Sequence, residues 1–144
     1  MSRSIKFKTQ LQQNLLALIS LIIAIVALSY NSWRNEQSED NRNFRSAGFE
    51  IMRESAKLQL LIDTVTYADK THHKELIKGW VSINFVVSLS ELMTPQINNK
   101  AIELKQVWTD NWSSLSTDEP ANQKISTANS LLVKTVRMQL LELK

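Results

Sequence analysis

The hydrophobic pattern changes character several times along the chain, and each change predicts a different element. From Asn14 to Trp33 apolar residues fill the run with no 3.6-residue alternation. Leu15, Leu16, Ile19, Ile22, Ile23, Ile25 and Val26 would point to every side of a helix. Twenty residues make a helix of roughly 30 Å, the thickness of a bilayer's hydrocarbon core. Tyr30 and Trp33 close the run, where amphipathic rings favour the headgroup level, and Arg34 follows at once. The pattern predicts a retained transmembrane anchor over residues 14–33. One alternative is a cleaved signal peptide with Ala27 and Ser29 at the cut, but Gln12, Gln13 and Asn14 would interrupt its early apolar core. The other is a soluble core helix, which would need a large protein around it to cover all its faces.

Residues 34–43, RNEQSEDNRN, contain no apolar side chain. They predict a solvated helical stalk of roughly 15 Å. At Phe44 a periodic pattern begins: Phe44, Gly48, Ile51, Ser55, Leu58, Ile62 and Val65 recur at alternating steps of four and three. That is the seam of a helix packed in coiled-coil fashion, running to about Ala68. Asp69 to His73 reads as a polar turn. A second helix spans about Lys74 to Met93, and Thr94 and Pro95 are placed as N-cap and first residue of a third. The third helix puts Ile97, Ala101, Leu104, Trp108 and Leu115 on one side, with Trp112 beside them. Ser116, Thr117, Asp118 and Glu119 fit a capping box, and Pro120 is tolerable in the first turn of a fourth helix. That helix carries Ala121, Ile125, Ala128, Leu132, Val136, Leu140 and Leu143 on one face. Long helices joined by short turns predict an all-α fold, in which the anchor continues into an antiparallel up-down four-helix bundle over residues 44–144.

The second helix has too many apolar stripes. Leu76, Trp80, Ile83 and Val87 form one, Ile77, Val81, Phe85 and Leu92 another, and Val86, Leu89 and Met93 continue a third from Gly79 and Ser82. A bundle helix buries about three positions in seven. One stripe is therefore surplus, and Val86, Leu89 and Met93 are the candidate contacts for a partner protein or a second copy. A second membrane span is the weaker reading of this helix, because Lys78, Asn84 and Glu91 punctuate too short a segment. Trp108 and Trp112 lie one turn apart, and with Trp80 they form a candidate pocket for a small apolar or amphipathic ligand; core packing is the plainer reading.

Charge and composition narrow the picture further. The 144 residues carry 17 Lys and Arg against 14 Asp and Glu. Arg3, Lys6 and Lys8 are the only charged residues before Arg34, so the rest of the chain is neutral and the basic character belongs to the tail of residues 1–13. No dense cationic stripe of the kind that displaces counterions from phosphates is present, which argues against a nucleic-acid partner. With 2 Gly, 2 Pro and no Cys, the chain is poor in turns and offers no disulfide, thiolate ligand or cysteine nucleophile. Lys and Arg are evenly split across the anchor, and the closer spacing in the tail tips the expectation toward a cytoplasmic N-terminus with the helical domain in the periplasm.

Candidate chemistry is sparse. His72 and His73 are the only histidines, and as neighbours on a helix they diverge by about 100°, so one metal would need ligands from elsewhere. Glu91, Glu103 and Asp110 sit among polar neighbours and form no acid and base pair. No G-x-S-x-G, phosphate-cradling glycine loop, H-E-x-x-H or EF-hand loop occurs. The expectation is a protein that is not an enzyme and has no cofactor. The string LSYNSWRNEQSEDNRNFRSAGFEI resembles a group of single-pass inner-membrane proteins of gram-negative bacteria that have a basic tail, one anchor edged by tryptophan and arginine, and a small helical domain. The resemblance covers residues 10 to 65 and implies no activity. The overall plan is also similar to the periplasmic sensor bundle of chemotaxis receptors, by fold analogy alone. The resulting expectation is a membrane-anchored accessory or scaffold subunit whose partners are the lipid bilayer and another protein or a second copy. The alternative is a ligand-binding sensor or carrier; a hydrolase acting at the membrane surface is weaker still.

Overall fold

The structure, a computed structural model, describes the backbone of residues 2–67 and 73–143 and the side chains of residues 10, 14–67 and 76–143. Among these the chain is helical: α1 is Ser2–Tyr67, α2 His73–Ser90, α3 Pro95–Asn111 and α4 Glu119–Glu142, with a single 3-10 turn at Trp112–Ser114. It divides into two compact units, Met1–Asp40 and Asn41–Lys144. The division falls inside the polar stretch 34–43.

In the first unit the apolar run behaves as its pattern requires. Every side chain from Leu15 to Trp33 is exposed, the large apolar ones from Ile19 at 45% to Leu28 at 71%. The helix is long and apolar enough to cross a membrane, with a mean hydropathy of 2.2 and none of that window covered by protein. Tyr30 and Trp33 stand as a tilted pair with ring centroids 6.0 Å apart.

The second unit has a core drawn from all four helices. From α1 come Ile51, Leu58, Ile62 and Val65, with Gly48 and Ser55 completing the seam. From α3 come Ile97, Ala101, Leu104 and Trp108, followed by Leu115, and from α4 Ala121, Ile125, Leu132 and Val136. Each fully buried Leu, Ile or Val contributes about 1.5–3 kcal/mol relative to exposure, and every helix supplies some of them.

Pair contacts give the directions. Arg45 Nη2 donates to the Leu143 carbonyl at 3.4 Å, Asn129 Nδ2 to the Ser55 carbonyl at 2.9 Å, and Asn122 Nδ2 to Thr66 Oγ1 at 2.8 Å. Numbers rise on α1 as they fall on α4, so the two helices run in opposite directions over this stretch. Thr94 and Gln96 at the start of α3 both bond Gln139 near the end of α4, at 2.5 and 2.9 Å. α3 packs on α4, and α2 on α3.

Helix ends follow local chemistry with one exception. After α2, Ser90 Oγ donates to the Val87 carbonyl at 2.6 Å, and tight turn bonds carry the chain to Thr94. Thr94 caps α3, its hydroxyl oxygen accepting from the Ile97 amide at 3.4 Å, and Pro95 sits in the first turn, where its missing donor is not needed. The capping box expected at Ser116–Glu119 does not form. Asp118 is the N-cap of α4 with extended backbone, but its side chain makes no capping bond. Glu119 in the first turn still suits the positive end of the helix dipole.

Candidate functional site

α2 is the helix whose pattern exceeds what a core can absorb, and the structure shows which stripe is left over. Leu76 and Ile83 are buried, with Trp80 and Val87 packed against the core. Val86, one of the three expected contact residues, is at 0% exposure, and Leu89 and Met93 pack against the same core. This corrects the expectation for Val86, which is interior, while Leu89 and Met93 are half-buried against the core. The stripe's beginning at Gly79 and Ser82 explains why, because small residues let α2 approach its neighbours closely. The exposed stripe is Ile77 at 65%, Val81 at 65% and Phe85 at 43%, continued by Leu92 at 73% in the turn beyond α2, which ends at Ser90 and not at the expected Met93.

The three tryptophans do come together. Trp80 lies edge-on to Trp108 at 6.3 Å and 90°, and to Trp112 at 6.3 Å and 70°, the T-shaped geometry that aromatic quadrupoles favour. A Cβ placed on Gly79 would lie 2.4 Å from the Trp108 ring, so only glycine permits this approach. Trp108 is fully buried. The trio is a packed aromatic cluster, and Trp108 presents no surface to a ligand.

The grooves lie elsewhere. One of about 870 Å³ runs between α3 and α4 past Glu103, Asp110 and Lys124, with charges of both signs. A second of about 790 Å³ runs between α1 and α4, past Met52, Ser55, Asn129, Lys134, Arg137 and Leu141. Its floor belongs to a chain of polar contacts missed in the sequence. Asn129 Nδ2 donates to the Ser55 carbonyl, Gln59 Nε2 to Ser126 Oγ at 2.8 Å, Ser126 Oγ to Asn122 Oδ1 at 3.2 Å, and Asn122 Nδ2 to Thr66 Oγ1. Asn122 and Asn129 are seven residues apart and both buried. That spacing, on the core-facing side of helix 4, was the available signal.

A second polar bridge ties α1 to α2. The Glu54 carboxylate accepts from Lys57 Nζ at 2.6 Å and from Ser82 Oγ at 3.1 Å. The Lys57 hydrogen bond does most to hold its pKa below the ordinary 4.5; burial opposes this, and Ser82 assists. Arg53, paired with Glu50, is pushed upward by that hydrogen bond and remains a fixed cation.

Among the described residues no group of three or more His, Asp or Glu side chains could hold a metal. The pair His72 and His73, with Asp69 and Glu75, falls outside the residues whose side chains are described. Comparison with protein families, with characterised proteins and with solved structures finds no match to this chain.

Proposed function

We propose that this chain is a membrane-anchored helical protein without catalytic activity, which docks another protein through the exposed face of α2 as an accessory or scaffold subunit. The observation that carries the reading is the row Ile77, Val81 and Phe85 on α2, continued by Leu92 in the turn after it: apolar side chains left in the open while the other two stripes pack against the core. Large residues spaced along one helix face are the form in which an amphipathic helix is recognised by a groove or by a second helix. On this reading residues 14–33 are the anchor in a bacterial inner membrane, with the N-terminus cytoplasmic. On the same reading the helices of residues 44–144 form an up-down bundle in the periplasm.

The test is photo-crosslinking in cells from positions 81 and 85, with position 86 as an interior control. A discrete adduct from 81 and 85 that is absent from 86, and that disappears in Phe85→Asp while the protein stays folded and membrane-bound, supports the reading. Equal labelling from all three positions, or a Phe85→Asp protein that keeps its adduct from position 81, ends it. Protease protection of the helical domain in intact cells, lost on opening the outer membrane, tests the orientation separately.

A further inference from the structure

The groove between α1 and α4 has a chemical character of its own. Its lining from Ser126 to Leu141 covers about 22 Å along α4, somewhat more than the roughly 15 Å that one acyl chain occupies in a bilayer leaflet. One half is lined by the apolar Met52, Val133, Met138 and Leu141 with the cations Lys134 and Arg137 at their edge; the other is polar and uncharged, with Gln59, Ser126 and Ser130. The charged residues in the lining are Lys134 and Arg137, both exposed, and no carboxylate shares the groove with them. Among the described residues neither cation has an ion-pair partner.

A second observation points to a ligand independently of charge. Ser55 is 1% exposed and Asn129 4%, and both line the groove. Ser55 Oγ and Asn129 Oδ1 have no hydrogen-bond partner, although Asn129 Nδ2 is bonded and fixes the amide's orientation. An unpaired buried polar atom is unfavourable, and an occupant carrying a hydroxyl could pair with both of these in the groove. Ser55 can donate to such a group and Asn129 Oδ1 can accept from it.

We propose that this groove binds a single-chain anionic amphiphile: an acyl chain along Met52, Val133, Met138 and Leu141, with an acidic head held by Lys134 and Arg137. A fatty acid and a lysophospholipid share this chemistry, and a phosphoglycerol head adds the hydroxyl that Ser55 and Asn129 would engage. The site is separate from the exposed face of α2 and stands or falls without it.

The four methionines supply the probe, since Met52 and Met138 line the groove while Met93 packs against the core. Full-length protein carrying methyl-labelled methionine, held in phosphatidylcholine nanodiscs, is titrated with palmitate, with palmitoyl-lysophosphatidylglycerol and with neutral palmitoyl-lysophosphatidylcholine. The expected result is a saturable shift of the Met52 and Met138 resonances with an anionic amphiphile, Met93 staying in place. The tighter of the two anionic arms identifies a carboxylate or a phosphate head. Lys134→Glu combined with Arg137→Glu, both at exposed positions, weakens binding about tenfold or more. Ala56→Trp, which fills the groove from an exposed position, abolishes it, with an unmoved Met93 resonance showing that the fold is intact. No shift at Met52 and Met138, an equal response to the neutral amphiphile, or binding that survives both variants overturns the proposal.

Discussion

Residues 15–28 and residues 76–93 are both rich in large aliphatic side chains, yet they meet different surroundings. In the first, all the large apolar side chains are exposed on the protein. In the second, Leu76, Ile83 and Val86 are sealed in a core while Ile77 and Val81 on the same helix, and Leu92 in the turn after it, stay at 65–73%. The difference lies in periodicity more than in hydrophobicity. A run that is apolar all round has no face to spare, so no single neighbouring protein surface can cover it. A helix with three stripes can give two to a core and keep one. The lesson is that exposed apolar surface has two origins here: a segment suited to another solvent, and a remainder left when the core is full.

The largest effect that sharpens this comparison is at the centre of the core. Trp108→Ala is expected to destabilise the helical domain by about 3–5 kcal/mol, measured by chemical denaturation followed by circular dichroism; a loss under about 1 kcal/mol would mean that the buried side of α2 is not anchored as described. Next is the close approach that lets α2 bury two stripes. Gly79→Ala pushes a methyl into the Trp108 ring and should cost about 1–3 kcal/mol. An unchanged midpoint would mean that α2 and α3 can separate freely, and the contrast between the stripes would weaken.

The acid limb of stability is the third probe. The pKa of Glu54 is lowered in the folded protein, chiefly by the Lys57 hydrogen bond, so its contribution is present above the ordinary carboxylate value and is lost as pH falls through the depressed one. Glu54→Gln should therefore flatten the stability profile below about pH 4.5. An acid limb as steep as that of the parent protein would mean that the α1 to α2 bridge is not formed in solution. The smallest effect is on the open stripe: Val81→Ser should change stability by no more than about 0.5 kcal/mol, because Val81 has no core contact to lose. A loss of about 1 kcal/mol or more would erase the distinction between the two faces.

Much of the helical domain was readable in advance because periodicity alone determines which residues can share a side. The α1 seam of Ile51, Leu58, Ile62 and Val65 and the α4 row of Ile125, Leu132 and Val136 are each buried as their spacing requires. Thr94 and Pro95 start α3 because their chemistry is local: a hydroxyl to receive an amide and a ring that needs no donor. Local chemistry was misleading at Asp118, where a suitable side chain sits at the cap and makes no bond.

The candidate sites were less readable. Val86 and Val81 are the same residue type, five positions apart on one helix, and nothing in their immediate neighbours assigns one to the interior. Likewise Asn122 and Asn129 read as ordinary polar residues until α1 is laid beside α4 and Ser55, Gln59 and Thr66 come within reach. The sequence by itself determined an all-helical chain with one segment apolar on every face, because spacing and composition act within a single helix. Which stripe of α2 was spared, which tryptophan was sealed and which polar groups line a groove were decided only by tertiary structure. Those outcomes depend on how closely two helices approach, and that distance is set by side chains far apart in the chain.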